Sequence, residues 1–308
     1  MAGVADGVHP RIAVSSARDY SGGIAQRAMG RTAPARAHLN LTSWALRDRL
    51  QPGEQWWADI SHRHTPDWRG NEYMRLFAEE KTGYAVPLFC VTKSTADLIH
   101  QLVAMELWVR LNVPDGHFRV LRCDFGSEYA RQGHGDDYIV RDLQAFIADR
   151  PYFRVIPCPP HAHAFNKAEG TIHQTTGHAF ANACRARLGP SAWSLLDKGA
   201  CFQHNCRPVW RPEGAVGPPV SRQEALTRRR PNVSAILGYV GQTAWIRAWD
   251  GKANAYRDNT VPALYLYPCL MGAGHNVFNL ATRTEQVVFS VALPGAPTIV
   301  RCCRHNRP

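Results

Sequence analysis

Three acidic residues stand where a folded sheet would gather them. Asp59 follows Trp56-Trp57-Ala58 near the end of an extended run. Asp124 closes Val120-Leu-Arg-Cys-Asp124 and is followed by Phe-Gly-Ser-Glu128-Tyr129. Glu169 comes early in a helical stretch that opens Asn166-Lys-Ala-Glu169. If the strands carrying Asp59 and Asp124 are neighbours, the two aspartates approach each other, and Glu169 closes the group from its helix. Clustered carboxylates repel, so such a group needs cations, and hard oxygen ligands with open positions suit Mg²⁺ or Mn²⁺. Two such ions roughly 3.5–4 Å apart activate an attacking oxygen and stabilise a leaving oxygen in phosphoryl transfer. Taken singly, such an acid is more often a strand-end cap or a solvated residue than a ligand. The spacing of three acids does not by itself separate those readings.

The elements that must position them follow from hydrophobic periodicity. Residues 54–60, 72–77 and 83–91 read as three strands, rich in aromatic and β-branched residues and joined by short connections, which implies an antiparallel meander. Over 94–111 the period changes. Leu98, Leu102, Met105 and Val109 recur at helical spacing, and Asn112-Val-Pro114 ends the helix. A strand at 118–124, a helix from Asp136 to Ile147 and a short strand at 153–157 come next. Two helices follow, 166–187 and 191–205, the second starting on Ser191 as its N-cap. The order β-β-β-α-β-α-β-α-α implies an α/β fold with a mixed five-stranded sheet flanked by helices.

This reading divides the chain into a basic, weakly ordered leader (1–50), an α/β core (51–207), a Pro/Gly/Arg-rich linker (208–230), a small β module (231–295) and a basic tail (296–308). Within the module, 277–280 and 287–291 read as strands around a polar turn, with Trp245 and Trp249 in its core.

Among 308 residues, 36 Lys+Arg against 25 Asp+Glu give a net charge of +11, and only five of the basic residues are Lys. The charge is uneven. Residues 51–180 hold 16 acidic and 13 basic side chains, whereas 181–308 hold 16 basic and six acidic. An acidic middle between basic flanks points to a polyanionic partner. Hydrophobic residues make up 45% of the chain, which excludes wholesale disorder. No apolar run approaches ~18 residues, so no membrane span is expected. Nine scattered Cys do not form a disulfide framework and imply a reducing compartment. The Arg- and Ser-rich start leaves organelle targeting as an alternative to a nuclear location with a cytoplasmic phase.

The residues around the three acids resemble the integrase of copia-type LTR retrotransposons, a branch of the retroviral-integrase-like DDE polynucleotidyl transferases. The likeness runs from Trp57-Ala-Asp59 through Gly70-Asn-Glu-Tyr73, Lys81-Thr-Gly-Tyr84 and Lys93-Ser94. It continues through Arg122-Cys-Asp-Phe-Gly-Ser-Glu-Tyr129, Asn166-Lys-Ala-Glu169, Asn205-Cys-Arg207-Pro208 and Arg230-Pro-Asn232, and ends in 274–291. The resemblance implies a ribonuclease-H-like core at 51–207. It also implies metal-dependent 3′-end processing and strand transfer of DNA, with Asp59, Asp124 and Glu169 as catalytic and metal ligands. Mg²⁺ or Mn²⁺ would be the cofactor, DNA the partner, and a homo-oligomer the assembly.

Nucleic-acid contacts are expected from Asn166, Lys167 and His173 on the Glu169 helix, and from Arg228, Arg229 and Arg230. Asn166 reads equally as a residue that orders its loop. The arginine cluster reads equally as a phosphate grip, a nuclear-import signal or a solvated run.

The chain departs from the pattern at several points. Ser61-His-Arg-His64 stands where Gly-Pro is usual, Lys167 replaces a Gly, and Gly170 replaces a basic residue. Forty-four residues separate Asp124 from Glu169, which implies an insertion near 132–137. No Cys precedes Cys90, so the family's upstream His/Cys zinc module is not expected. Cys158 with His161 and His163 matches no standard zinc spacing. Cys201 and Cys206 read as thiols on a core face. An alternative to the active enzyme is an inactive or domesticated integrase-derived nucleic-acid-binding protein. A ribonuclease-H-like nuclease is a third reading.

Overall fold

A computed structural model of the chain describes residues 50–124, 129, 139–157, 166–209, 219–247, 260–269, 274–294 and 300–301. The expected leader, the insertion near 132–137, Trp249, and Cys158 with His161 and His163 lie outside these residues.

Strands β1 (Gln55–His62), β2 (Tyr73–Glu79) and β3 (Ala85–Cys90) form the antiparallel meander. Helix α1 (Thr95–Asn112) starts on Ser94, whose hydroxyl accepts a 3.1 Å bond from the Asp97 amide. It carries the chain across the sheet to β4 (Val120–Cys123), which pairs with β1 in parallel. Helix α2 (Arg141–Ala148) leads to β5 (Arg154–Pro157), parallel to β4. The order is β3-β2-β1-β4-β5. This mixed five-stranded sheet with flanking helices is the architecture expected above.

Side chains alternate across the sheet. Trp56, Ala58, Phe77 and Leu121 point to one face and pack under Leu98, Leu102 and Met105 of α1 and Leu143 of α2. Trp57, Met74 and Leu76 point to the other, against Ala168 and Cys201. Ala168 belongs to α3 (Lys167–Ala186) and Cys201 to α4 (Trp193–Asn205). Contrary to expectation, Ser191 does not cap α4. Pro190, with its fixed φ, starts a 3₁₀ turn over 190–192, and the N-cap position falls on Ala192, which offers no side-chain bond.

Within the stretch read as a linker, residues 222–227 form helix α5 (Arg222–Thr227), whose Leu226 enters the core under α1. Among the described residues the C-terminal part is all β: β6 (Thr243–Arg247), β7 (Thr260–Pro268), β8 (His275–Asn279), β9 (Thr284–Val288), β10 (Ser290–Ala292) and β11 (Val300–Arg301). The run expected as one strand at 287–291 is split at Phe289 into β9 and β10. Ala244, Ile246, Tyr265 and Val277 fill the module's interior. Trp245 does not join them. It sits on the outer face at 44% exposure, because Ala244 and Ile246 take the inward positions beside it. Among the described residues, no helix is long and apolar enough to cross a membrane.

The module rests on α4. Leu195, Leu196 and Ala200 pack against Leu264, Leu266 and Phe278, and Trp68 of the β1–β2 loop meets the Phe278 ring edge-on at 4.7 Å. Gly199 permits the approach: a Cβ there would lie 2.3 Å from Val240 Cγ1. Gly177 on α3 has no atom within 4 Å of that position. Gly199→Ala is therefore expected to destabilise the fold by about 1–3 kcal/mol through overpacking. Gly177→Ala should be neutral or stabilising by up to about 1 kcal/mol through helix propensity. Denaturant titration of the two variants checks the contrast.

Candidate active site

The parallel register pairs Ala58 with Cys123 as the last couple of β1 and β4. Asp59 and Asp124 each follow that couple by one residue. Ala58 and Cys123 both point into the α1 core, so by alternation the two aspartates point to the α3 face. On that face Trp57 and Ala168 share a cluster, which brings the first turn of α3 and Glu169 over the strand ends. Asn166 fixes where α3 begins. It is buried, and its side-chain oxygen accepts a 3.0 Å bond from the Ala168 amide.

The charges of Asp124 and Glu169 both act on Asp59. Its carboxyl is pushed up to about 6, first by burial, then by the charge of Asp124, and further by that of Glu169. The Ile60 amide, donating to Oδ1 at 2.8 Å, opposes the shift, and the Lys93 ammonium opposes it more weakly. Lys93 was visible in sequence only as part of a motif. Its place beside Asp59 depends on the β3–α1 connection, which spacing does not reveal.

The other expected contacts distribute differently. The Lys167 ammonium bonds to the Glu80 carboxylate and carbonyl instead of facing outward. Glu80 is buried and also accepts from Trp57 Nε1 and from Gln55 Nε2. His173 is exposed and lies one turn beyond Glu169 on the same side of α3. Arg228, Arg229 and Arg230 are exposed just past α5, where Arg228 lies 3.8 Å from Asp115. Asp115 belongs to the turn after α1, and Val113 of that turn packs near Gly53 at the start of β1. The arginine cluster thus sits at the opposite end of the sheet from the carboxylates.

The donor chemistry fits a divalent cation: three hard carboxylates, one of them with its pKa raised by burial and by the charges of the other two. Among the described residues, no three His, Cys, Asp or Glu side chains converge closely enough to hold a metal ion as they stand. Closing the ligand set would require the carboxylates to draw together.

No protein-family model matches the chain, and no curated protein matches it in sequence. Among solved structures, a chain of the simian T-cell lymphotropic virus intasome in complex with PP2A regulatory subunit B56 gamma aligns at 12% identity and a TM-score of 0.41, over 82% of this chain and 80% of that one. The HTLV-2 integrase catalytic core domain in complex with magnesium aligns in its trimeric form at 13% identity and a TM-score of 0.40, over 57% and 98%. Its dimeric form gives 12% and 0.38, over 56% and 95%. Superpositions this loose assign no residue of the site.

Since the folded-state value for Asp59 lies above its ordinary one, the native chain holds the extra proton between about pH 4 and 6, and that stability is lost as pH rises through about 6. Metal-free Asp59→Asn should therefore be more stable than the wild type at pH 7.5, by about 1–3 kcal/mol, with the gap closing near pH 4. Thermal melts of both proteins across that range, in chelator, test the sign.

Proposed function

We propose that the chain is an integrase-like polynucleotidyl transferase that processes and joins DNA 3′ ends in a metal-dependent reaction. The observation that carries this reading is the parallel register of β1 and β4, which sets the half-buried Asp59 and Asp124 one step beyond the same couple on the face where α3 begins with Glu169 in its first turn. Asp59, Asp124 and Glu169 would hold Mg²⁺ or Mn²⁺. When bound, the metal would supply Lewis-acid stabilisation of the oxygens on the phosphorus being attacked.

The chain's own residues would do the rest. The strand ends and α3 would orient the phosphodiester, with Asn166 holding the helix start in place. Water would be the nucleophile for end processing, and a DNA 3′-hydroxyl for joining. His173, on the side of α3 that carries Glu169, would touch the DNA backbone. Arg228–Arg230, at the far end, would grip DNA away from the reacting bond or serve as a nuclear-import signal, with the protein working in the nucleus after a cytoplasmic phase. A homo-oligomer would bring two DNA ends together. The copia-type sequence pattern is the finer part of this proposal.

A second reading is integrase-derived DNA binding without chemistry. One observation favours it: Lys167, in the same first turn as Glu169, is tied to Glu80. The two readings part in one assay. Purified protein with a short donor duplex and Mn²⁺ should yield joined products, and Asp124→Asn should lower joining by at least about a hundredfold while leaving thermal stability and DNA affinity intact. Joining by that variant at the wild-type rate would refute the assignment. Salt-sensitive binding with no metal-dependent product would support the second reading. Cleavage of an RNA–DNA hybrid without joining would instead identify a nuclease.

A further inference from the structure

Between α4 and α5 the chain returns on itself. Pro208 and Ser221 pair as an antiparallel bridge, and the Arg222 amide donates to the Arg207 carbonyl at 3.0 Å. Arg207 and Arg222 are therefore opposite each other, one step outside the bridge, with their side chains on one face. Like charges so placed destabilise a strand pair.

Two histidines complete the cluster. His178 of α3 accepts from a terminal nitrogen of Arg207 at 2.6 Å. His204, in the last turn of α4, is buried. Its Nε2 donates to the Gly83 carbonyl at 3.0 Å, and its Nδ1 has no partner among the described residues. Arg222 reaches the same place from the start of α5. One of its terminal nitrogens donates to the His204 carbonyl at 3.2 Å and to the Pro208 carbonyl at 3.4 Å. Its Nε lies 3.3 Å from where a Cβ on Gly83 would stand.

Among the described residues, no carboxylate balances this group. Burial and the Arg207 charge lower both His178 and Arg222. His204 is pushed down to about 4, first by burial and then by Arg222, with Arg207 and His178 adding to the shift against the Gly83 carbonyl. Glu224, the acid of α5, faces Arg230 at 3.4 Å, and α3 carries no acid after Glu169. At neutral pH the cluster thus holds two guanidinium charges beside two neutral imidazoles. Carbonyls orient Arg222 and an imidazole orients Arg207, but neither contact removes a charge. Arg207 is exposed, and Gly177 beside His178 has no atom within 4 Å of a Cβ position, so the approach is open.

We propose that Arg207, Arg222 and His178 form a binding site for a phosphate group that carries two negative charges. Two oriented guanidinium groups on one face match a single dianion, and their planar forks suit its oxygens. A phosphate monoester carries a charge of about −1.5 to −2 at pH 7. A carboxylate or a backbone phosphodiester brings only one charge and leaves one guanidinium uncompensated. The dianion can come from two sources, free phosphate or the 5′-terminal phosphate of a nucleic-acid strand. The site takes in the run Asn205-Cys-Arg207-Pro208, to which the proposed reaction gives no task, and it does not depend on the carboxylate chemistry.

The test uses the full chain. Calorimetry reads inorganic phosphate, and fluorescence polarisation reads a short oligo-dT bearing a 5′-phosphate or a 5′-hydroxyl. Saturable binding of free phosphate, or a preference of about tenfold for the 5′-phosphate strand, is expected and tells the two sources apart. Arg207→Gln should weaken that binding, or erase that preference, by about tenfold or more without lowering the melting temperature in phosphate-free buffer. Arg110→Gln, which removes one exposed charge from the end of α1, should change neither. Absence of both signals overturns the proposal. Equal losses in the two variants would reduce it to diffuse attraction by a chain of net charge +11 and overturn it as well. So would a 5′-hydroxyl strand that binds as tightly as the phosphorylated one and is weakened by Arg207→Gln, since the ligand would then be a phosphodiester. Binding that appears only after Glu213→Gln, between the two arginines in sequence, would give them to the chain's own carboxylate and refute the site.

Discussion

The parallel pairing of β1 with β4 is the constraint on which the site depends. An antiparallel neighbour would present its residues in the reverse order and would not set two chain-distant aspartates one step beyond the same couple. Parallel pairing demands a long crossover, and α1 supplies it with Leu98, Leu102, Met105 and Val109 buried against the sheet. The crossover's burial is thus the source of the free energy that holds Asp59 beside Asp124 against their repulsion. At the burial typical of core aliphatics, each such side chain contributes about 1.5–3 kcal/mol, enough in sum to exceed the cost of one desolvated, like-charged carboxylate.

The third acid needs a different support, because a helix over a sheet can rotate and slide. Three ties fix α3 along its length. Asn166 caps its start, Lys167 anchors its first turn to Glu80, and Thr176 accepts from Arg63 at 3.2 Å further on. Arg63 also binds Asp197 of α4 at 2.9 Å, in a buried pair where burial pushes the aspartate up to about 6 while the arginine pulls it down. Removing one member would strand the other in the core, a loss that for buried pairs runs to about 3–5 kcal/mol. Arg63 and Lys167 therefore join Asn166 in locking the Glu169 helix. The same α4 carries the β module, with Lys198 binding Glu285 at 2.7 Å, so the site and the module share one support.

Much of this was legible in the sequence because it rests on local periodicity. The meander, the crossover helix and the long helix opening at Asn166 all followed from alternation or from three- and four-residue spacing, and their ends lie close to where the breakers placed them. What depends on distant partners was not legible. Lys167 beside Glu169 looks like a phosphate contact until Glu80, 87 residues away in sequence, takes its charge. Trp245 looks like core by type, yet its strand register puts Ala244 and Ile246 inward. Ser191 is a good cap by type, but Pro190 tightens the turn before the helix can use it. The arginine cluster read equally as a phosphate grip, an import signal or a solvated run, and its place beside Asp115 depends on the docking of α5 against the core under α1.

Charge counting foreshadowed the acidic middle, and the structure changes what that means. Many of the described acids of 51–180 have structural partners. Asp67 orders a loop through the amides of Arg69 and Asn71, and Glu79 is buried but accepts from Gly53 and Thr82. Several basic residues of the last third are equally occupied. Arg185 lies over Tyr239, Arg222 donates to the His204 carbonyl, and Lys198 is taken by Glu285. The sign of a segment is therefore a poor guide to its task. The distinguishing feature is the balance at each acid withdrawn from solvent. Asp197 has an arginine, and Glu79 has several donors. Asp59 has one backbone donor and the Lys93 ammonium set against burial and two neighbouring acids. A fold under selection for stability alone would remove that imbalance with an Asn or a Ser. Its presence at the meeting point of two parallel strands and a helix start is the strongest physical reason to look for chemistry there.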